Sequence, residues 1–487
     1  MTTSKKIAGN TVVLFMSNLL THFISFLIIV SVARYLGDVG LGKYSFAFSF
    51  MLIVFTVGAN FGVNTLIIRE IAKKKQLVEK YLSNSLSALV LLSLLAAAVG
   101  TIIIYFTRSD IEITVVVLLA GITSILDKVN NVFKSVLTAF EMIPYISVIM
   151  VVERIVALAV ALFVLLSGYG IIMFMLAFVI SNLIMAIVYY IVTAKKITIP
   201  RLSLELDVWK RLFIKGAPFW FTGMFTILYY RIDNVMLTYM KDYAVAGWYE
   251  ASYKIHRTLT IFPAVIMTVI FPVMSRLHVK SKKYLRFLYE KSFYYLAIIA
   301  FPIAAGVTFT AKPAIEIVYG QPGFLQHSPI ALQIIIWGLL FLYFNLLMGH
   351  LLNSIGKEKL FTFSVSIAVV FNVVLNLILI PIYSYIGASI ATVATEILNF
   401  CMLAFWTRRN NYRINYLKVI IKPLIATVVM TIAMFLLYRK MHIIIFIAVC
   451  AVIYGISLVL LRGFGKDEKN LIRQFLPPYI TVRFFKE

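Results

Sequence analysis

The chain has 487 residues, of which 62% are hydrophobic and 13% charged, and its mean hydropathy is +0.96. Soluble domains carry about 45–50% apolar and about 25% charged residues, so this composition excludes them and predicts a polytopic membrane protein. The formal net charge of +25 could point to nucleic acid. In a membrane protein, cytoplasmic loops rich in Lys and Arg explain such a charge first, and we predict no nucleic-acid partner.

Apolar stretches of about 20 residues, taken in chain order, predict an all-α protein with about fourteen transmembrane helices. The first stretch runs from Thr11 to Arg34 and is longer than the ~7 to 15 apolar residues of a signal peptide, so we expect an uncleaved anchor. The predicted spans, numbered 1 to 14, are 11–34, 44–68, 82–107, 113–140, 145–167, 170–194, 213–240, 245–274, 287–311, 327–353, 358–381, 384–407, 417–438 and 442–462.

Basic residues cluster in the loops after spans 2, 6, 8 and 12, which all lie on one side of the membrane. Lys and Arg accumulate in cytoplasmic loops. We therefore predict a multi-pass protein of the cell (cytoplasmic) membrane with both termini in the cytoplasm.

The chain repeats a junction between two helices, in which an Asp near the end of one helix is followed by a Gly at the start of the next, about 200 residues apart. Span 1 ends near Asp38 and Gly42 opens span 2, while span 7 ends near Asp242 and Gly247 opens span 8. Such a repeat predicts two six-helix lobes related by a pseudo-two-fold axis along the membrane normal, with substrate between them. The predicted domains are an N-lobe at 1–194, a cytoplasmic linker at 195–212, a C-lobe at 213–407, and spans 13 and 14 with a cytoplasmic tail at 408–487.

Span 8 carries charged residues inside an apolar segment. Glu250, Tyr253, Lys254, Arg257 and Ile261 fall on one face of a helix, because positions three and four apart stack over each other. A Glu250–Lys254 ion pair would be a purely structural explanation. Two cations for one anion leave a surplus, however, and ionisable groups inside a membrane usually face a wet cavity, so we predict a cavity that holds an anion.

Span 7 places Arg231 and Asp233 at a depth similar to that of Lys254, about 13 Å from the outer end at 1.5 Å per residue. One alternating network of Arg231, Asp233, Glu250 and Lys254 is therefore predicted, and a fixed interhelical clamp is the alternative. Arg257 lies one turn deeper without an obvious partner.

Three further spans carry charges. Span 4 contains Lys128, and it presents Asp127, Asn130, Asn131, Lys134 and Thr138 as a second polar wall. Glu153 and Arg154 in span 5 diverge by ~100° on a helix, which predicts that they pair with other helices rather than with each other. Glu396 stands alone in span 12 and is a candidate for proton or cation coupling, against the alternative of a neutral packing residue.

Metal and enzyme chemistry have little support in the sequence. Cys401 and Cys450 lie in apolar runs, which excludes a disulfide framework or thiolate site. His22, His256 and His350 lie on different spans, with no second ligand at metal spacing, so we expect them to pack or to form hydrogen bonds. No Walker-type loop, triad or zinc signature is present. We predict no catalytic residue, metal or cofactor.

Three motifs resemble the Wzx-type polysaccharide transporters, the oligosaccharide flippases of the multidrug/oligosaccharidyl-lipid/polysaccharide (MOP) exporter superfamily. They are Arg34-x-Leu-Gly-x-x-Gly-x-Gly-x-Tyr44, Tyr230-Arg-Ile-Asp-Asn-Val-Met-Leu237 and Gly247-x-Tyr-x-x-Ser-Tyr-Lys254. The resemblance implies a two-lobed, V-shaped transporter that moves an isoprenoid pyrophosphate-linked oligosaccharide outward by alternating access. It also implies substrate-cavity roles for Arg231, Asp233 and Lys254. The related lipid II flippases also have fourteen helices, and there the last pair forms a lipid-tail groove.

The expected partners are therefore a lipid-linked oligosaccharide, membrane lipids and enzymes of glycan assembly, and we expect a monomer. Coupling to H⁺, Na⁺ or the membrane potential stays open. Two other functions also stay open: a cation-coupled multidrug exporter of the same superfamily, and a membrane glycosyltransferase or polymerase of the same pathway. The exporter would need a net acidic cavity, and the enzyme would need a large outer loop or a carboxylate-bearing cytoplasmic site.

Overall fold

The computed structural model describes residues 3–59, 61–201, 203–438 and 441–463. These residues form α-helices and a short 3-10 helix at Lys75–Leu77, with no β-strand among them. The helices are α1 Thr3–Ala59, α2 Val63–Lys73, α3 Val78–Arg108, α4 Ile111–Ala139, α5 Ile143–Leu166, α6 Ile171–Lys196, α7 Leu206–Met240, α8 Tyr243–Leu259, α9 Ile261–Lys280, α10 Lys282–Val318, α11 Pro322–Ser354, α12 Glu358–Arg409, α13 Tyr416–Leu437 and α14 Ile443–Leu460. Residues 464–487 of the predicted cytoplasmic tail lie outside the described residues.

The prediction of an all-α polytopic membrane protein is confirmed. Within the described residues, ten helical stretches are long and apolar enough to cross a membrane, and the bent pair Leu206–Ala217 and Phe219–Met240 raises this to eleven. Many large apolar side chains on these helices are exposed, among them Phe106, Phe163 and Phe435. Such a surface suits a lipid environment rather than water.

Two helices are too long for one crossing. α1 has 57 residues and α12 has 52, about 85 and 78 Å at 1.5 Å per residue, against a hydrocarbon core of about 30 Å. Each is broken by one left-handed residue, Gly37 at φ 72° in α1 and Ser384 at φ 55° in α12. α1 therefore carries span 1 and most of span 2, whose end lies in α2, and α12 carries spans 11 and 12.

Span 8, predicted as one helix over 245–274, lies within one apolar stretch, Tyr243–Lys280, that is long enough to cross a membrane, but it is not one continuous helix. The structure breaks it between Leu259 and Ile261, where Thr260 forms a turn and its hydroxyl donates to the Arg257 carbonyl at 2.7 Å. Pro263 lies in the first turn of α9, where its missing N–H is tolerated. Apolar length alone did not reveal this break.

The chain divides into two compact units. Unit 1 comprises Met1–Ile261, Ile315–Ala331 and Thr362–Thr395. One of its apolar cores includes Leu66, Leu82, Phe133 and Tyr189, each at most 3% exposed. Unit 2 comprises Phe262–Ala314, Leu332–Phe361 and Glu396–Glu487, and a core there joins α10, α13 and α14.

In unit 1 the two copies of the repeated helix junction contact each other. A Cβ on Gly42 would lie 1.7 Å from the Tyr243 carbonyl oxygen, and one on Gly247 would lie 2.1 Å from the Asp38 carbonyl oxygen. The contact is reciprocal, as in a two-fold interface. It brings α1 and α8 to backbone contact, and it therefore fixes where the charged face of α8 lies.

Candidate functional site

Unit 1 contains a cavity of about 290 Å³ with an unusually charged wall. Helices α1, α4, α5, α6, α7 and α8 contribute to it. The basic residues on the wall are Arg154, Arg231, Lys254 and Arg257, and the acidic residues are Asp127, Glu153 and Glu250. The structure thus brings seven of the residues predicted from sequence to one cavity.

Helix α8 supplies three of these side chains. Hydrogen bonds hold its N-terminus and the face that points away from the cavity. Asp242 caps its N-terminus and accepts a hydrogen bond from the Val245 N–H at 2.8 Å, a typical N-cap interaction. On the opposite face, the Ser252 hydroxyl donates to the Ser328 carbonyl at 2.7 Å, and the Tyr319 hydroxyl donates to the Ala251 carbonyl at 2.9 Å. With that face bonded to Tyr319, just after α10, and to Ser328 in α11, Glu250, Lys254 and Arg257 line the cavity.

The four basic residues of the cavity differ in their carboxylate partners. Arg231 Nη1 lies 3.8 Å from Glu250 Oε1, and Arg154 Nη2 lies 3.8 Å from Glu153 Oε1. Among the described residues, neither Lys254 nor Arg257 has a carboxylate within 4.0 Å. The Arg257 guanidinium instead lies 6.0 Å from the centre of the Tyr230 ring, a cation–π distance. Two cations in the cavity are therefore free of ion pairs.

Two expectations about charge pairing are wrong. Glu153 and Arg154 were expected to turn away from each other, but their long side chains both reach into the same cavity and meet there. The second error concerns Asp233, which was expected in a network with Arg231 and Glu250. It is 5% exposed and accepts hydrogen bonds from Tyr249 Oη at 2.8 Å, Thr392 Oγ1 at 2.9 Å and Asn376 Nδ2 at 2.7 Å.

The Asp233 cluster brings several side-chain oxygens together in the interior of unit 1. The side-chain oxygen Oδ1 of Asn376 is buried there without a donor, and the carboxylate has no basic partner within 4.0 Å among the described residues. Oxygen ligands of this kind suit hard cations. No group of three His, Cys, Asp or Glu side chains that could hold a metal occurs in the described parts of the chain.

A second cavity of about 250 Å³ adjoins the first and shares Asp127, Glu153 and Arg154 with it. The predicted polar wall of span 4 faces this cavity through Asn130, Asn131 and Lys134, so the helical spacing of that wall was informative. The Asn131 amide holds the Asp127 carboxylate at 2.9 Å. His22 completes the wall from α1.

Two predicted residues lie elsewhere. Lys128 is partly buried in α4 and is not among the residues that line either cavity. Glu396 lies in unit 2, is 3% exposed, and accepts a hydrogen bond from Asn345 Nδ2 at 2.7 Å.

Sequence reasoning missed several uncharged residues of the first cavity. Tyr44 closes the first repeated motif, and Asn182 is an amide inside the apolar span 6. Both carried a signal, since polar groups inside spans usually face the protein interior. The apolar members gave none. The residues missed are Ile29, Tyr44, Ser45, Phe48, Leu52, Thr123, Ser124, Phe178 and Asn182.

Comparison with known proteins gives consistent results. A family model described as "Polysaccharide biosynthesis protein" matches residues 7–278, and one described as "MatE" matches residues 218–378. An uncharacterized membrane protein of Methanocaldococcus jannaschii, MJ1068, is 29% identical over 390 residues, which are 73% of this chain and 74% of that protein.

Two solved structures share the fold. The lipid II flippase MurJ, in an inward closed conformation, matches with a TM-score of 0.79 and 16% identity over 95% of this chain and 100% of its own. An inward-facing multidrug resistance transporter of the MATE family, within the MOP superfamily, gives 0.63 and 15% identity over 82% of this chain and 94% of its own. At these identities the likeness establishes the fold and no more.

Proposed function

Since this chain belongs to the polysaccharide biosynthesis protein family, within the MOP superfamily of transporters, we propose that it is a lipid-linked oligosaccharide flippase. It would move an isoprenoid (pyro)phosphate-linked oligosaccharide from the cytoplasmic to the outer leaflet by alternating access. The neighbours in fold, one of them named a lipid II flippase, are transporters, which supports a transporter rather than an enzyme.

A single observation carries the proposal: Lys254 and Arg257 face the charged cavity without a carboxylate within 4.0 Å among the described residues. Lys254 is partly buried and Arg257 is exposed. A cation within a membrane span is costly unless it has a partner, and a phosphate group of the substrate would supply one. Phosphate oxygens accept charge-assisted hydrogen bonds from Lys and Arg. A (pyro)phosphate head cannot otherwise cross about 30 Å of hydrocarbon.

The ion pairs supply a route to release. Arg231 and Arg154 already lie 3.8 Å from Glu250 and Glu153, so these carboxylates compete with a bound phosphate for the same wall. Binding is therefore weakened to a level from which the substrate can leave. In this scheme Lys254 and Arg257 hold the phosphate, while Arg231, Arg154 and Lys134 contact the head group or its sugars.

Coupling to an ion is a further part of the proposal. Asp233 is buried among hydroxyl and amide donors without a basic counter-ion within 4.0 Å, and a carboxylate in that position needs a proton or a cation. We place H⁺ or Na⁺ coupling there. Glu396, with its Asn345 hydrogen bond, is the alternative site, and the membrane potential is the alternative driving force.

The competing function is multidrug export, which the match of the MatE model to residues 218–378 favours. An exporter of cationic drugs needs an acidic cavity, whereas this wall carries four basic and three acidic residues. A membrane glycosyltransferase is less favoured, because the matched solved structures are those of transporters. We place the protein in the cell membrane with both termini cytoplasmic, as a monomer that works beside the enzymes of glycan assembly.

The test is a flipping assay in proteoliposomes with a fluorescent isoprenoid-pyrophosphate oligosaccharide and a membrane-impermeant quencher. We expect Lys254→Ala and Arg257→Ala each to slow flipping about tenfold or more, since each removes one charge-assisted phosphate contact of about 1.5–3 kcal/mol. Lys280→Ala and Arg276→Ala are matched controls, because both residues are exposed on α9. Both variants should flip the labelled lipid at the wild-type rate.

Flipping at the wild-type rate by both cavity variants would refute the role of these cations. If the wild type moves a labelled drug to the side of the quencher but does not move the labelled glycolipid, the exporter function is favoured. Growth of the glycan chain on the labelled lipid would favour the enzyme.

A further inference from the structure

A third cavity, with a basic lining, lies in unit 2, where the ends of three helices meet. It has a volume of about 480 Å³ and is lined by Arg286 from the start of α10, Arg408 from the end of α12, and Arg413 to Leu417 from the loop and start of α13. No acidic residue is among its lining residues. The residues of the first cavity do not contribute to it.

We propose that this cavity binds the phosphate group of an anionic membrane lipid, through Arg286, Arg408 and Arg413. Among the described residues, none of the three arginines forms a salt bridge. All three arginines are exposed, and three like charges around one cavity favour an anion between them. Arginine is well suited to phosphate, because its planar donors match the phosphate oxygens.

The loop before α13 is built to present these groups. Tyr412 and Ile414 are 3% and 5% exposed, whereas Arg413 and Asn415 between and after them are exposed. The Tyr412 hydroxyl lies 3.2 Å from His278 Nδ1, which anchors the loop. Asn415 caps α13 by accepting from the Lys418 N–H at 3.2 Å, so the positive end of the helix dipole adds to the arginine charges.

The neighbouring surface favours a lipid over a soluble phosphate. Leu417 lines the cavity and is 75% exposed. From it an exposed apolar stripe continues along α13 through Ile421, Leu424 and Val428, at the spacing of one helix face. A phosphate bound by the arginines would therefore have its acyl chains beside an apolar helix surface at membrane level.

The experiment measures binding of fluorescently labelled phosphatidylglycerol to the purified full-length protein in a non-ionic detergent. We expect the triple variant Arg286→Gln/Arg408→Gln/Arg413→Gln to bind about 100-fold more weakly, since each basic residue near an anionic lipid contributes about 1 kcal/mol. Arg409→Gln is the matched control, because Arg409 is exposed beside Arg408 but lies over the Trp406 ring at 5.8 Å. It should bind like the wild type.

Competition identifies the source of the phosphate. Unlabelled phosphatidylglycerol should displace the probe, whereas phosphatidylcholine and inorganic pyrophosphate should not at the same concentration. Equal binding by the triple variant, or equal displacement by either of these competitors, would overturn the proposal. Thermal unfolding confirms that the triple variant is folded, and Lys254→Ala should keep wild-type lipid binding, which separates this site from the proposed substrate cavity.

Discussion

The proposed role of Lys254 and Arg257 depends on the other two basic residues of the cavity, which form ion pairs. The cavity wall has four basic side chains, and two of them already face a carboxylate at 3.8 Å. Charges at such distances interact by several kcal/mol at the effective dielectric of a protein. An incoming phosphate is therefore attracted most by the two residues whose charge no carboxylate offsets, and the paired residues adjust around it.

Asp233 belongs to the same stretch of sequence as Arg231 but does a different job. We predict that Asp233→Ala lowers the free energy of unfolding by about 2 kcal/mol, since it removes an acceptor shared by three donors and an unsatisfied buried donor costs about 1–3 kcal/mol. Thr392 keeps a bond to the Ala388 carbonyl, and Asn376 keeps one to Asn372 Oδ1. Its donors are Tyr249, Thr392 and Asn376. Denaturant unfolding in detergent measures the loss.

Asp207→Ala is the control for this variant, because Asp207 is exposed in the first turn of the same helix, α7. It should change stability by no more than about 1 kcal/mol. An unfolding curve of Asp233→Ala that matches the wild type would contradict the structural role.

At the residue scale, sequence predicted which charges are internal better than it predicted their partners. The spacing of Glu250, Lys254 and Arg257 fixes their common face, so that prediction needed only helical geometry. The partner of Arg154 depends on side-chain torsions, and the partners of Asp233 come from α8 and α12, far along the chain. No local pattern encodes either.

At the scale of elements, the crossing of α1 and α8 depends on two glycines. Gly42 and Gly247 let backbone meet backbone, with a carbonyl oxygen at 1.7 and 2.1 Å from where each Cβ would lie. A separation below about 3 Å cannot be accommodated against backbone without displacement of the helix. The repeat that the sequence revealed is therefore also the contact that positions the site.

We predict that Gly42→Ala and Gly247→Ala each destabilise the protein by about 3 kcal/mol, which is the upper range for overpacking. Gly223→Ala is a control from the interior of α7, where nothing lies within 4 Å of the added Cβ. It should be neutral or stabilising by up to about 1 kcal/mol, because alanine is the better helix former. Thermal unfolding of the three variants measures the difference, and equal midpoints would refute the close contact.

Helix breaks show where element-level prediction stopped. A bend at Gly37 can be predicted from the sequence, since glycine reaches φ 72° without strain. The break at Ser384 falls where the predicted spans 11 and 12 meet, shortly after Pro381, so the sequence predicted it. The turn at Thr260 occurs at a residue that does not require one. Packing in the folded chain selects that position, and apolar length, the quantity that predicted the spans, is insensitive to it.

At the scale of the whole molecule, the segment predicted to be a linker is fastened to α3. The Arg201 and Ser203 N–H groups donate to Ser83 Oγ at 3.0 Å and Ser87 Oγ at 3.2 Å. Glu205 then accepts from Lys80 Nζ at 2.6 Å. The contacted residues of α3 are spaced three and four apart, as on one helix face, so the described part of the connection is held along that helix.

Glu205 makes this attachment sensitive to pH. Hydrogen bonds from Lys80 and then Asn84 lower the pKa of the Glu205 carboxyl below its usual 4.5. A lowered folded-state pKa means that the carboxylate stabilises the attachment above about pH 4.5 and that this stabilisation is lost as the pH falls through the folded value. The linker should therefore stay fastened at neutral pH and loosen in acid.

Hydrogen exchange of residues 197–207 in the wild type and in Glu205→Gln tests this. At pH 7 we expect faster exchange in the variant, because the Lys80 contact loses its charge, although an exposed pair of this kind contributes little. As the pH falls towards 3 the wild-type carboxylate is increasingly protonated, so the ratio should fall towards one. Glu290→Gln, on the exposed surface of α10, should leave the exchange of this segment unchanged at both values. A ratio that is the same at pH 7 and pH 3 would show that the ionised carboxylate of Glu205 does not hold the segment.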